Sequence, residues 1–149
     1  MKLAISHSFA LTPAELYAGL IDPAVLQRCI DGCEKMEKTG EDAYAVQLKV
    51  GVAGMKGTYA GKVRITEKHP PEALTLAIDG KGVPGFIQAT ARLTLASSGD
   101  RTQLSGDADA AFGGLIAAVG SRLIEAAAKK MMGEFFTRLE AEITSRRAS

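Results

Sequence analysis

The sequence predicts an α+β fold in which a curved, seven-stranded antiparallel sheet wraps around a long C-terminal helix. Three observations lead to this prediction. One segment with alternating apolar residues precedes two short helical segments, six further alternating segments follow, and the last thirty or so residues change to the helical period. Because the sheet and the helix each present one apolar face, they are expected to pack against each other.

Composition and length favour a single globular domain over residues 1–145, followed by a short tail over 146–149. The chain has 149 residues, of which 46% are hydrophobic and 23% charged. Its net charge of +1 gives no overall field that would attract nucleic acid. We find neither a signal peptide nor an apolar run of membrane-spanning length, and the two cysteines are expected to stay reduced, so the prediction is a cytoplasmic protein.

The N-terminal elements follow from alternation and from capping residues. In KLAISHSF, the apolar positions and His7 share one face of the first strand. Thr12, Pro13 and Glu15 have the spacing of a capping box that opens a short helix through Leu20. Asp22, followed by proline, starts a second short helix that ends near residue 32.

Small residues are concentrated on the inner face of the strands that follow. Glycine in a strand interior marks a bend, a close approach or empty space. The pattern leaves two interpretations open. Small residues either allow the helix to pack closely against the sheet, or they line a cavity between sheet and helix. The positions concerned are Gly57, Gly61, Ala89, Ala91, Gly106, Ala108 and Ala110.

The C-terminal segment is predicted to be one amphipathic helix from Gly114 onward. Its opposite face places Glu125 four residues before Lys129, and Glu134 four residues before Arg138, as favourable pairs. The predicted apolar stripe contains Leu115, Ile116, Val119, Leu123, Ala127, Met131, Phe135, Leu139 and Ile143.

Several motifs resemble catalytic or metal sites but fit structural roles better. GKGVPG matches a dinucleotide-binding spacing, yet the strand pattern that follows it indicates a hairpin turn. CIDGC lacks the spacing and the local histidines of a zinc site. His7 is interpreted as a core residue, and Asp107 and Asp109 as exposed strand residues rather than cation ligands. No nucleophile with a partner base is visible, so we predict no catalytic and no metal residue.

Four stretches carry a resemblance to a known family. They are DPAVLQRCIDGCE, VGVAGMKGTYAGKVRI, GKGVPGF and GSRLIEAAAKK, in this order. From about Leu3 to Leu139 the sequence resembles the CoxG family of carbon monoxide dehydrogenase subunits, which is part of the START/polyketide-cyclase (SRPBCC) superfamily. The resemblance implies a helix-grip fold with an apolar cavity between helix and sheet. The matching motif positions include Gly57, Gly61, Gly85 and Phe86, with Tyr59 where an aromatic residue is usual.

The resemblance also implies a function. Proteins of this family are accessory to molybdenum hydroxylases such as aerobic CO dehydrogenase, without being the dehydrogenase. They are implicated in binding a quinone-like or lipid-like ligand and in membrane recruitment at the inner face of the membrane. Longer members carry a C-terminal membrane-interacting extension, which leaves Arg146 and Arg147 as the expected weak contact with an anionic surface here. Asp31 stands where the family often has proline.

The predicted function is therefore non-covalent binding of a hydrophobic small molecule, without catalysis. The Tyr59 hydroxyl is the expected donor to a ligand carbonyl, and access is expected near GKGVPGF and the segment from Phe112 to Leu115. Two alternatives stay open: a cyclase-type enzyme that uses His7 or Tyr59, and a structural partner whose core is filled. The predicted lining is Val46, Leu48, Tyr59, Val63, Leu76, Phe86, Ile87, Phe112, Ile116, Leu123 and Met131.

Overall fold

The computed structural model describes residues 1–147, so Ala148 and Ser149 of the predicted tail lie outside the described residues. The two elements that follow the last strand are a 3₁₀ segment and the long helix. The elements are β1 (Lys2–Phe9), α1 (Pro13–Leu20), α2 (Pro23–Cys29), β2 (Cys33–Gly40), β3 (Ala43–Val50), β4 (Gly57–His69), β5 (Ala73–Gly82), β6 (Gly85–Ser98), β7 (Arg101–Gly113), the 3₁₀ segment (Gly114–Val119) and α3 (Ser121–Arg147).

The seven strands form one antiparallel sheet in the order β1-β7-β6-β5-β4-β3-β2. Strands β2 to β7 are a meander in which each strand pairs with the next along the chain, and β1 pairs with β7 at the far edge. The α+β fold class predicted from the sequence is confirmed, with the two short helices after β1 and the long helix at the end.

The predicted caps begin both short helices. The Thr12 hydroxyl accepts a hydrogen bond from the Glu15 amide at 3.2 Å, and the Glu15 carboxylate accepts one from the Thr12 amide at 3.0 Å. In α2 the Asp22 carboxylate accepts from the Ala24 amide at 3.0 Å. These bonds satisfy amides that a helix start would otherwise leave without partners.

One half of the molecule has a filled core. Phe9, Leu104 and Leu139 are fully buried, and the rings of Phe9 and Phe136 meet edge to face with centroids 5.6 Å apart. The last turns of α3 thereby pack directly on the sheet. Tyr17, buried in α1, donates its hydroxyl to the Ala73 carbonyl at 3.1 Å and so attaches that helix to β5.

The prediction of one continuous helix from Gly114 is wrong in its first part. Gly120 adopts a φ of +97°, which ends the 3₁₀ segment and lets α3 start in a new direction. Leu115 and Leu123 of the predicted stripe are 70% and 63% exposed. A spacing of four residues overshoots the helical turn by about 40° at each step, or about 200° from Ile143 back to Leu123. Ile124 is buried instead.

The end of α3 is attached to the start of α1. The helix continues through Arg146 to Arg147, both of which the sequence analysis placed in a tail. The Arg147 guanidinium donates to the Glu15 carboxylate at 2.6 Å and to the Ala10 carbonyl at 3.4 Å. Hydrogen bonding to Arg147 lowers the pKa of Glu15 from 4.5 to about 2.

The Glu15→Gln substitution tests this attachment. Glutamine keeps an acceptor for the Thr12 amide but removes the charge that Arg147 binds. Because the pKa of Glu15 is lower in the folded than in the unfolded state, its contribution to stability is complete above pH 4.5 and is lost as the pH falls towards 2. We expect the urea midpoint of the variant to be below that of the wild type at pH 7, and the gap to close between pH 4.5 and 2. Glu67→Gln, at an exposed position of β4, is the control. A constant gap over this pH range would contradict the assignment.

Candidate functional site

A row of cross-strand partners crosses the concave face of the sheet, and its two central members are glycines. Gly61 of β4 lies opposite Gly80 of β5. Since neither residue has a side chain, the middle of the sheet presents bare backbone towards α3. The full row, from β3 to β7, is Val46, Gly61, Gly80, Ile87 and Phe112.

The positions around the glycine pair are also small. Ala89 and Ala110 are partners in the next row, and Ala127 and Ala128 of α3 line the facing wall. The result is a cavity of about 270 Å³ between the sheet and the first half of α3. Its lining residues are Met1, Leu3, Val46, Leu48, Val50, Met55, Tyr59, Gly61, Ile78, Asp79, Gly80, Ile87, Ala89, Ala108, Ala110, Phe112, Ile116, Ile124, Ala127, Ala128 and Met131.

The cavity offers a ligand hydrocarbon surface and almost nothing else. Tyr59 and Asp79 are the only lining residues with polar side chains among residues 1–147. Asp79 is exposed and lies between the inward-facing positions Ile78 and Gly80, so its carboxylate belongs to the outer face of the sheet. Moving a polar group from water into such a space costs about 2–7 kcal/mol of free energy if the group finds no hydrogen-bond partner there. The cavity therefore favours apolar ligand groups over polar ones.

The Tyr59 hydroxyl does not point its proton at the cavity, contrary to the sequence prediction. It donates to the Met55 carbonyl at 2.6 Å and so holds the β3–β4 loop against β4. Burial raises the pKa of Tyr59 above its usual value of 10. The physical reason for the difference is that a buried hydroxyl needs a hydrogen-bond partner, and the loop carbonyl supplies one. The oxygen retains its capacity to accept a hydrogen bond.

The structure places seven of the eleven predicted lining residues on the cavity wall. These are Val46, Leu48, Tyr59, Ile87, Phe112, Ile116 and Met131. The other four lie elsewhere. Val63 and Leu76 pack against the filled core, because strand alternation gives the face but not the distance along the strand at which the cavity ends. Phe86 and Leu123 are 41% and 63% exposed.

Sequence reasoning missed most of the helical wall and one edge of the cavity. Ile124 and Ala128 were lost with the wrong helix phase, although a stripe drawn at 3.6 residues per turn back from Leu139 would have reached them. Ala127 was on the predicted apolar stripe but was not among the predicted lining residues. Met1 and Leu3 were missed because the pairing of β1 with β7 has no local sequence signal.

His7 and the two cysteines, which sequence analysis also considered, lie outside the cavity. The His7 ring packs between Phe9 and Phe136, with centroid distances of 4.6 and 5.1 Å. Cys29 is buried and Cys33 half-buried, both are free thiols, and burial raises the pKa of each. Within residues 1–147 the structure shows no group of three or more His, Cys, Asp or Glu residues placed to hold a metal ion.

Comparison with known proteins identifies the family. The family of carbon monoxide dehydrogenase subunits described as CoxG matches residues 6–144. The chain belongs to the CoxG family. Its structure is similar to that of a conserved protein from Geobacillus kaustophilus, which is 34% identical, with 97% of this chain and 96% of that chain covered and a TM-score of 0.94. No curated protein matches the CoxG-family chain in sequence.

More distant solved structures share the fold of this CoxG-family protein. Protein CV1439 from Chromobacterium violaceum is 15% identical over 95% of this chain and 96% of that chain, with a TM-score of 0.73. Ara h 8.0201 is 11% identical over 97% of this chain and 98% of that chain, with a TM-score of 0.69. The family and the helix-grip fold predicted from the sequence are thus confirmed. Among residues 1–147, no helix is both long and apolar enough to cross a membrane.

The Tyr59→Phe substitution tests the role assigned to the hydroxyl. Loss of its bond to the Met55 carbonyl should lower the free energy of unfolding by about 1 kcal/mol and release the loop. The Met55 amide, which donates to the Val52 carbonyl, should then exchange its hydrogen faster. Tyr17→Phe, which removes the hydrogen bond to the Ala73 carbonyl, is the control for general destabilisation. In this control the exchange rate of the Met55 amide should keep its wild-type ratio to the rates of neighbouring amides. Unaltered stability and exchange in Tyr59→Phe would contradict the assignment.

Proposed function

We propose that this protein is a non-catalytic binding module that holds the apolar part of a quinone-like or lipid-like molecule. In this proposal it serves a molybdenum hydroxylase such as aerobic CO dehydrogenase, and aids electron transfer by carrying the ligand at the inner face of the membrane. The observation that supports the proposal best is the continuous apolar lining of the cavity beneath α3. Its size is close to the lower end of the range typical of small-molecule sites, which begins at about 300 Å³.

Burial of apolar surface is sufficient to drive such binding. At about 25 cal/mol per Å², covering roughly 300 Å² of ligand would contribute about 7 kcal/mol before ordering costs. Without those costs, this would correspond to a dissociation constant on the order of 10 μM, which is the upper limit of the affinity that this burial alone supports. No catalytic group or metal ion is needed for affinity of this size.

The lack of a free donor determines how the ligand would be oriented. A quinone ring carries two carbonyl oxygens, which would lose their hydrogen bonds to water in the cavity, because Tyr59 already donates to Met55. An isoprenoid or acyl chain has no such groups. We therefore propose that the chain occupies the cavity and that the polar head stays near its mouth.

A cyclase-type reaction has less support than binding. Acid–base catalysis needs a titratable side chain within hydrogen-bond reach of the reacting atom. Sequence analysis considered two residues for this role. His7 packs in the filled core against Phe9 and Phe136, and the Tyr59 hydroxyl, although it lines the cavity, donates its proton to the Met55 carbonyl. The filled-core alternative is also disfavoured, because the space above Gly80 is lined rather than occupied by side chains.

Filling the cavity from the helix side tests the proposal. Ala127→Leu places a larger side chain in the cavity, and the helix is little affected because leucine has a helix propensity close to that of alanine. Ala126→Leu adds the same volume at the neighbouring exposed position and is the matched control. This pair is sharper than a change at Gly61, where an added Cβ would lie 2.8 Å from Val46 Cγ1 and 3.1 Å from the Asp79 carbonyl oxygen.

We expect organic extracts of purified wild-type and Ala126→Leu protein to contain an apolar compound with a polyisoprenoid or acyl chain. Native mass spectrometry should show the intact proteins with an added mass equal to that of the extracted compound. In Ala127→Leu the fraction of protein that carries this compound should fall at least about tenfold, because the larger side chain prevents part of the ligand's apolar surface from being buried. Added ubiquinone-1 should bind the wild type and not Ala127→Leu. Equal binding by the two variants, or no binding by the wild type, would contradict the proposal.

A further inference from the structure

The large apolar side chains that the structure exposes all lie in one region. They are Val83, Phe86, Leu115 and Leu123, and Val83 is 95% exposed. Two of them belong to the β5–β6 hairpin, and two to the stretch from the 3₁₀ segment to the first turn of α3. Single exposed apolar residues are ordinary on a protein surface, but their confinement to one region marks a site of interaction.

Three segments converge to form this region, which we call the apolar tip: residues 51–57, 80–86 and 111–123. The Ile116 amide donates to the Pro84 carbonyl at 2.8 Å, which joins the second and third segments. A Cβ added at Gly57 would lie 2.8 Å from Pro84 Cγ, and one added at Gly54 would lie 2.7 Å from Val119 Cγ2. The first segment therefore touches both of the others.

The charges of the apolar tip are all of one sign. Its three segments contain Lys56, Lys81 and Arg122 and no Asp or Glu, whereas the whole chain has a net charge of only +1. In the part of the chain that the structure describes, none of these three cations is in an ion pair. Exposed apolar side chains among unpaired cations are the pattern of proteins that bind at the surface of an anionic membrane.

The opposite end of α3 is a poorer candidate for the same contact. With 27 residues the helix is about 40 Å long, at about 1.5 Å per residue, so Arg146 and Arg147 lie far from the apolar tip. Arg147 is bound to Glu15, and Arg146 donates to Glu142 at 3.1 Å. The pair that sequence analysis assigned to an anionic surface is thus committed to internal contacts, among carboxylates that would be repelled by anionic lipid.

The apolar tip and the cavity share chain segments. Met55 and Ile116 line the cavity, and each is followed or preceded by an exposed residue of the tip, Lys56 and Leu115 respectively. A membrane held against the tip would therefore lie beside the end of the cavity at which Met55 and Ile116 form the wall.

We propose that the apolar tip docks on the surface of a bilayer rich in anionic phospholipid, with Leu115, Leu123 and Val83 inserted among the acyl chains and the three cations among the phosphates. A bilayer fits better than a folded protein, because the exposed apolar side chains come from three separate segments, the hairpin turn at Val83, the 3₁₀ segment at Leu115 and the first turn of α3 at Leu123, and the cations among them match lipid phosphates in charge. The docking itself follows from the tip. Its use for loading the cavity rests on the proposed function.

The test uses the full chain and unilamellar vesicles. One set contains phosphatidylcholine alone, and the other contains phosphatidylcholine with one quarter phosphatidylglycerol. We expect the wild type to sediment with the anionic vesicles only, and less so as salt is added. The double variant Leu115→Glu/Leu123→Glu should bind at least about tenfold more weakly. Ala96→Glu/Ala141→Glu adds the same charge at exposed positions outside the tip and should bind as the wild type.

A second variant separates the electrostatic from the apolar part. Lys56→Gln/Lys81→Gln/Arg122→Gln should lose the preference for anionic vesicles while circular dichroism shows an intact fold. Equal binding by the two double-glutamate variants would overturn the proposal, since net charge would then explain the adhesion. Absence of wild-type binding to either vesicle would also overturn it, including the case in which the tip binds a purified molybdenum hydroxylase instead. Because Leu115 and Leu123 do not line the cavity, ubiquinone-1 binding by their variant reports separately on the proposed function.

Discussion

The pairing of Gly61 with Gly80 in the middle of the sheet is the constraint on which the rest of the site depends. Protein interiors are packed as densely as organic crystals, so space in a core is normally filled. The side chains around the 270 Å³ space lack the packing partners that a filled core would give them. A ligand that occupies the cavity would supply those contacts and remove its own apolar surface from water, which is the energetic reason for binding.

The molecule can keep such a space because the two halves of α3 have different roles. The second half is anchored by Phe136 and Leu139 in the filled core and by Arg147 at Glu15. The first half crosses the sheet over small residues and begins after Gly120, whose positive φ separates it from the 3₁₀ segment. Elements that bury few apolar contacts open at lower free energy than the core does. The end of the protein that holds the cavity is therefore also the end best suited to admit a ligand.

The fold could be predicted from local patterns because each strand, cap and turn has its own signal. Thr12 with Glu15, and the alternation around Tyr59, are visible without any long-range information. The site was predicted less completely, since a cavity is a property of facing walls. Leu123 was placed inside because a four-residue spacing was carried too far along a helix of 3.6 residues per turn. The partner of the Tyr59 hydroxyl could not be inferred, because the β3–β4 loop has no periodic pattern.

The central claim is that a dry, apolar space lies between Gly80 and Ala127, and xenon measures this most directly. Apolar cavities bind xenon without polar contacts, so a crystal of the ligand-free protein pressurised with xenon should show the atom against Gly80, Ile87 and Ala127. The account predicts an ordered xenon site there and no ordered water. A structure in which protein side chains fill that space, or in which hydrogen-bonded waters occupy it, would contradict the account.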